Sequence, residues 1–336
     1  MQSKSAANPR TIAFYRANKL GDNVVAIPAL YLAKCLFAGA RLVLLTNKMG
    51  ENLCKNYDFI DKIVLCDEQN LPQIVDEINA DVLILSHRTG GLIRLAKQSK
   101  CPKIATWLHL SSLFCPRFRH PRYLTKSKRL ELRCCIDLVR CLNAHLFDEK
   151  FSEISLKNLP IKIQTSPQNA AFVNKFMHAF KAQNYKKIIG INALSSDFER
   201  DFKPEIFIKL GRNLAREFGD FLFVFINFER SGYEFEAFSE ANIALFTNDS
   251  DLLNLAEFVR RLDLLISADT GTVHIADNLG VKVCEPIAAK QALRWGGGAY
   301  GGECAKLVLP KGWRKRYEFY KEKFFALARE CVRGLK

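Results

Sequence analysis

Short apolar runs recur along the first half of the chain, each separated by a stretch with helical spacing. Residues 11–15, 41–45, 62–65, 81–85 and 103–105 are rich in Ile, Val, Leu and Phe and read as buried strands. Residues 23–37 and 69–78 lie between them with helical periodicity, and 129–146 closes the series. Strands that alternate with helices make a parallel sheet with crossover helices. The pattern weakens over 151–167, which reads as a linker, and a helix over 169–182 follows. A second series then begins, with strands at 187–192, 221–226, 243–246, 264–268 and 281–284. Helices at 205–218 and 252–261 separate them, and 316–333 forms a last helix. The chain is therefore predicted to be α/β, with two Rossmann-like doubly wound halves. No internal repeat or low-complexity tract interrupts it.

Two of the strand-to-helix turns carry chemistry. The apolar run at 264–266 leads into Ser267-Ala268-Asp269-Thr270-Gly271-Thr272-Val273-His274. An acid, a hydroxyl residue and a glycine at the mouth of a helix suit an anion, because free N–H groups and the positive end of the helix dipole point there. His274 lies one turn in and can face the same place. The first strand leads into Arg16-Ala17-Asn18-Lys19-Leu20-Gly21-Asp22-Asn23, again a glycine turn followed by a helix. Asp22 or Asn23 would serve as its N-cap. Ligands of open parallel sheets bind at the carboxyl ends of strands, so the two turns form two candidate site walls.

Composition narrows the partners. The 336 residues suit two domains of ordinary size, and 49% apolar content is enough for two cores. A net charge of +15 favours an acidic partner such as nucleic acid, anionic lipid or a phosphorylated sugar. The eleven cysteines are scattered and form no C-x-x-C pair, which argues against a zinc site or a disulfide framework. They are expected to be reduced and mostly buried. The N-terminus shows no signal-peptide pattern, and no apolar run is long enough to span a membrane.

Four collinear segments resemble the lipopolysaccharide heptosyltransferase family (ADP-heptose:LPS glycosyltransferases, family nine). Leu20-Gly21-Asp22 with Val24 and Pro28-Ala29-Leu30 resembles the family's opening. Asp269-Thr270-Gly271 with His274 and Ala276 resembles its donor-site signature. Between them, Arg200-Asp201-Phe202-Lys203-Pro204-Glu205 resembles a Lys-x-Trp-x-x-Glu segment, with arginine for the lysine and Phe202 for the tryptophan. Arg294-Trp295-Gly296 and Tyr300-Gly301 stand where the family has an Arg-x-Gly-Pro-Tyr-like stretch. Pro286 is expected to be the survivor of a Gly-Pro-Thr loop.

The resemblance implies a GT-B architecture, two Rossmann-like domains facing across a cleft. Residues 1–160 would bind the acceptor and 161–310 the donor, and the basic helix at 311–336 would cross back to the first domain. It implies inverting transfer of heptose from ADP-L-glycero-D-manno-heptose to the inner core of lipopolysaccharide or lipooligosaccharide. Asp22 would be the general base. Ser195, Ser196, Arg200, Asp269, Thr270, Gly271 and His274 would hold the donor. Arginine at 200 would offer a diphosphate two hydrogen bonds where lysine offers a point charge. Neither cofactor nor metal is expected, and the adjacent acids Asp67 and Glu68 read as a helix cap.

The acceptor side is legible through charge. Arg117, Arg119 and Arg122 interleave with Phe118, His120 and Tyr123, and Lys126, Lys128, Arg129 and Arg133 follow. Arg119 and Arg122 are the acceptor candidates, with His87 and Arg88 at the end of the fourth strand. Their partner would be an acidic lipid-linked saccharide, either Kdo-lipid A or heptosylated core. The protein would sit in the cytoplasm on the anionic inner-membrane face, aided by Trp313, Tyr317, Phe319 and Tyr320 of the basic C-terminal segment. Two other readings share these observations: a same-fold transferase using another nucleotide sugar, and a basic nucleic-acid-binding protein. The second gives no reason for the collinear turns, so no nucleic-acid partner is expected.

Overall fold

The computed structural model describes residues 8–87, 89–122, 129–152, 155–195 and 201–336. The chain divides into two compact units, Met1–Ile161 and Lys162–Lys336.

In the first unit the strands are β1 (Thr11–Tyr15), β2 (Arg41–Thr46), β3 (Lys62–Leu65), β4 (Val82–Leu85), β5 (Lys103–Thr106) and β6 (Phe118–Arg119). Its helices are α1 (Leu20–Leu36), α2 (Lys48–Cys54), α3 (Leu71–Glu77), α4 (Gly90–Gln98), α5 (Glu131–Arg140) and α6 (Ala144–Phe151). The sheet is parallel throughout, in the order β3-β2-β1-β4-β5-β6. Ala13, Val43, Leu83 and Ile104 meet Leu71, Leu92 and Ile93 on one face. α1 buries Val24, Val25, Ile27, Ala29 and Leu30.

The second unit repeats the plan. Its strands are β7 (Lys187–Asn192), β8 (Phe221–Phe228), β9 (Ile243–Asn248), β10 (Leu264–Ser267), β11 (Lys282–Ala288) and β12 (Cys304–Leu309). Its helices are α7 (Pro167–Ala179), α8 (Pro204–Glu217), α9 (Leu252–Arg260), α10 (Gly271–Leu279), α11 (Ala289–Trp295) and α12 (Tyr317–Arg333). The order is β12-β11-β10-β7-β8-β9, again all parallel. Numbered from its own first strand, each sheet therefore runs 3-2-1-4-5-6. Strand order reverses between β1 and β4 in one unit and between β7 and β10 in the other. Those reversals open crevices at the carboxyl edge, where ligands of such sheets bind.

Several local expectations change. α1 starts at Leu20, so neither Asp22 nor Asn23 is its N-cap; Lys19 holds that place without a side-chain bond. Asn23 instead donates to the carbonyls of Asn18 and Lys19, at 3.1 Å each. The stretch 129–146 is two helices, α5 and the start of α6, broken at Asn143, whose side chain caps α6. The segment around Pro286 is not a loop but part of β11. The β10 ladder ends at Cys284, and only β12 pairs with the rest of β11. A proline without an N–H is tolerated where one side of a strand has no partner. β6 is two residues long and β12 begins at a cysteine, and neither is among the predicted strands.

Phe202 and the C-terminal aromatics belong to the second core. Phe202 is fully buried, edge-on to Trp313 at 4.8 Å and stacked on Phe324 at 5.5 Å. α12 buries Phe324, Ala328 and Val332 in the same cluster, so its apolar face is spent inside the second unit. Trp313 is 7% exposed and Tyr317 is partly buried, so neither is the free membrane anchor their sequence allowed. Phe319 remains exposed, covered by the Arg316 and Lys323 cations. All eleven cysteines are free, six of them buried. Among the described residues, no helix is long and apolar enough to cross a membrane.

Candidate functional site

In the first unit the crevice between β1 and β4 is organised by Arg16, the residue after β1. Its side chain is 1% exposed. Nη2 lies 2.5 Å from Asp22 Oδ1, and Nε donates to the Asp22 carbonyl at 3.1 Å. Nη1 donates to Glu131 Oε1 at 3.2 Å and to the Ser86 carbonyl at 3.1 Å. Ser86 follows β4, and its hydroxyl donates to the Tyr15 carbonyl at 2.7 Å. Arg16 thus ties together the ends of the two strands that flank the reversal, the first turn of α1 and the start of α5. Asp22 keeps 21% of its side chain exposed. Its Oδ2 makes no hydrogen bond with any described residue, so one oxygen is anchored and the other is open.

His87 follows Ser86 at the same crevice. It lines a cavity of about 190 Å³ with Tyr15, Asn18, Asn47, Asp67 and Glu68. Arg88 lies outside the described residues. Asp67 Oδ1 accepts the N–H groups of Gln69 and Asn70, which makes it a turn-former before α3. Arg119 and Arg122 are exposed but stand on and just beyond the edge strand β6, three strand positions from β1. At the spacing of a sheet that is roughly 15 Å. Arg119 Nη1 is folded onto the Pro116 and Phe118 carbonyls. Arg117 is structural: it donates to the carbonyls of Lys97, Ser99 and Cys101 behind α4. Asp22 and His87 thus both stand at the carboxyl ends of the central strands β1 and β4, though Asp22 does not line the His87 cavity, and Arg119 and Arg122 lie apart from them at the sheet edge.

In the second unit the crevice between β7 and β10 collects Ser195, Asp269, Thr270, Gly271 and His274. Ser196 and Arg200 lie outside the described residues. Asn192, at the end of β7, donates to Ser267 Oγ at 3.2 Å and to Thr270 Oγ1 at 2.9 Å. Thr270 is the N-cap of α10, yet its hydroxyl does not cap the helix. The mouth of α10 is thus held in place while its leading N–H groups have no side-chain acceptor among the described residues. Asp201 braces the other side, accepting from Asp269 N at 2.7 Å and Phe202 N at 2.8 Å. Burial raises its carboxyl to about 7 against those two bonds.

His274 is buried, and burial followed by nearby Lys306 lowers it to about 4, so the ring is neutral at physiological pH. Its Nδ1 has no hydrogen-bond partner among the described residues. The ring stands 6.1 Å from Trp295, at the end of α11. The segment after Trp295 is pinned by two carboxyls: Gly297 N donates to Glu285 Oε1 at 2.7 Å and Tyr300 N to Asp277 Oδ2 at 3.1 Å. Gly297 is required by space, since a Cβ there would meet Cys304 Sγ at 2.9 Å and Val273 at 3.1 Å. Glu285 is fully buried and stands opposite Lys306 in the β11–β12 ladder. Arg16, Glu131, Asp201, Glu285 and Lys306 all escaped the sequence reading. Only Arg16 and Asp201 had a signal, each being a charge beside a recognised turn.

Glu285 carries a pH prediction. Burial, and next the charge of Asp269, raise its carboxyl from 4.5 to about 7. Between those values the folded unit keeps a proton that the unfolded chain has lost. Its contribution is full below 4.5 and is lost as pH rises through about 7. Glu285→Gln stays neutral throughout. Wild-type stability should therefore fall relative to Glu285→Gln by roughly 1 kcal/mol per pH unit across that window, and stay level above it. Denaturant unfolding at a series of pH values tests this; parallel profiles would mean that the carboxyl titrates normally.

No protein-family sequence model matches this chain, and no curated protein matches it in sequence. Solved structures do match. A glycosyl transferase family 9 protein from Veillonella parvula is 16% identical, with a TM-score of 0.71 over 94% of this chain and 89% of that one. The E. coli ADP-heptose LPS heptosyltransferase II is 11% identical, with a TM-score of 0.73 over 97% and 98%. E. coli heptosyltransferase WaaC, solved with ADP, is 11% identical, with a TM-score of 0.61 over 93% and 99%. At such identities the likeness is one of fold. The chain has the α/β, GT-B-type fold of the family-nine glycosyltransferases, the family its four collinear motifs resemble.

Proposed function

We propose that the protein is an inverting glycosyltransferase that moves heptose from ADP-L-glycero-D-manno-heptose to a Kdo-lipid A or heptosylated core acceptor. The observation that carries this reading is the pairing of chemistries at the two strand-order reversals. One holds an anchored carboxylate with an open oxygen; the other holds a helix N-terminus without a side-chain cap. In this reading Asp22 takes the proton of the acceptor hydroxyl, whose oxygen attacks the anomeric carbon. The bond from that carbon to the diphosphate breaks, and ADP leaves with the electron pair. The N–H groups at the mouth of α10, with Ser195, Ser196 and Arg200, would stabilise the leaving charge. A neutral His274 would act as a hydrogen-bond donor. Asp269 would bind sugar hydroxyls or fix the turn. No metal is assigned a role. The work would take place at the cytoplasmic face of the inner membrane.

A second reading keeps the reaction and changes the sugar. Its support is Glu285, a buried acid in β11, beside Pro286, which the resemblance assigned to a Gly-Pro-Thr loop. Calorimetric titration with ADP, ADP-heptose and UDP-sugars, with metal chelated, separates the two. Binding confined to adenine nucleotides is the expected result. A uridine preference would overturn the heptose assignment, and no nucleotide binding would overturn the transferase reading.

A further inference from the structure

β5 ends in a short turn that presents its residues the wrong way round for a soluble surface. Trp107 and Ser112 are buried, while Leu110 is 80% exposed, Leu113 47% and Phe114 95%. The turn is well anchored. His109 Nδ1 accepts from Ser111 N at 3.1 Å, and Ser112 Oγ donates to the His109 carbonyl at 2.7 Å. The His109 ring lies so close to Gly90, the first residue of α4, that a Cβ there would meet it at 3.2 Å. Just beyond, Arg117 clamps the returning chain to the carbonyls behind α4. Single exposed apolar residues are ordinary, but three bulky ones within five positions on an anchored turn form a patch that needs a partner.

Charge identifies the partner. From Trp107 to Leu130 the sequence has no Asp or Glu and six Arg or Lys. Arg119 and Arg122 are exposed within it. An exposed apolar tip followed a few residues on by two exposed arginines, in a stretch without acids, is a combination that suits anionic bilayers: the tip enters the acyl boundary and the cations meet the headgroups. The turn also follows the carboxyl end of β5, and its His109 packs against Gly90 at the start of α4, three residues after His87.

We infer that Leu110, Leu113 and Phe114, with Arg119 and Arg122, form a docking surface for an anionic lipid bilayer. The inference rests on the proposed function only for the identity of the lipid-linked acceptor. The test is co-sedimentation of the full chain with phosphatidylcholine vesicles, with and without phosphatidylglycerol. Wild type is expected to bind the anionic vesicles and not the neutral ones. The double substitution Leu110→Ser and Phe114→Ser should weaken that binding on the order of tenfold or more. Its thermal midpoint and ADP titration should match wild type. Arg119→Gln with Arg122→Gln should weaken binding at low salt and lose its effect at high salt. Failure of wild type to bind anionic vesicles overturns the inference. So does wild-type binding by the serine variant, or self-association of the chain through this turn without vesicle binding. Loss of ADP binding in wild type would instead count against the transferase reading alone.

Discussion

Replacing Asp22 with asparagine is expected to cut sugar transfer by about 10²–10⁴-fold, the usual worth of a positioned general base, and to leave nucleotide binding unchanged. Asparagine matches the shape of aspartate and still offers Arg16 an oxygen, so the anchored geometry survives and only proton acceptance is lost. The groups proposed to hold the nucleotide belong to the other unit, which is why ADP affinity should not move. Asp22→Ala should lose at least as much turnover and some stability, because the buried Arg16 also loses the carboxylate 2.5 Å away. Initial rates with ADP-heptose and a Kdo-terminated lipid A, beside calorimetry with ADP, read both quantities. Normal turnover in Asp22→Ala would remove the residue from the mechanism and leave it as half of an ion pair.

How much of this was legible in the sequence depended on whether a signal was local. Ten of the twelve strands, all but β6 and β12, stand out because buried parallel strands are continuous apolar runs, and the turns after β1 and β10 because glycine, an acid and a helix start fall within a few positions. β6 was too short to show a period, and its Phe118 and Arg119 were absorbed into a basic run. That run was read as one acceptor patch, yet Arg117 is spent on backbone carbonyls and Arg119 is folded onto its own strand. Phe202 stands where the resembled segment has a tryptophan, and nothing in its spacing points to its partners, Trp313 and Phe324, which lie more than a hundred positions along the chain. The same distance hid Glu131 from Arg16. Side-chain partners set by the fold leave no trace in spacing, and these are the groups that hold Asp22 and Gly297 in place.

Removing Arg16 is expected to destabilise the first unit strongly. The guanidinium is 1% exposed and satisfies two carboxylates and two backbone carbonyls at once, with Glu131 itself 2% exposed. Breaking a buried pair by removing one member leaves an uncompensated charge, so Arg16→Met should cost about 3–5 kcal/mol. In a unit of this size, Met1–Ile161, that lowers the thermal midpoint by roughly 6–20 °C. Turnover should fall as well, because Asp22 Oδ1 loses its anchor, which makes Arg16 a positioning residue. The double substitution Arg16→Met with Glu131→Leu distinguishes the two roles. Replacing both members of a buried pair by apolar groups is often close to neutral, so the double variant should regain much of the thermal midpoint. It should not regain turnover, because Asp22 is still untethered. Thermal unfolding and initial rates on the three proteins decide the matter. If the single variant melts at the wild-type temperature, the network does not stabilise this unit. If turnover returns in the double variant, Asp22 does not need Arg16 to hold it.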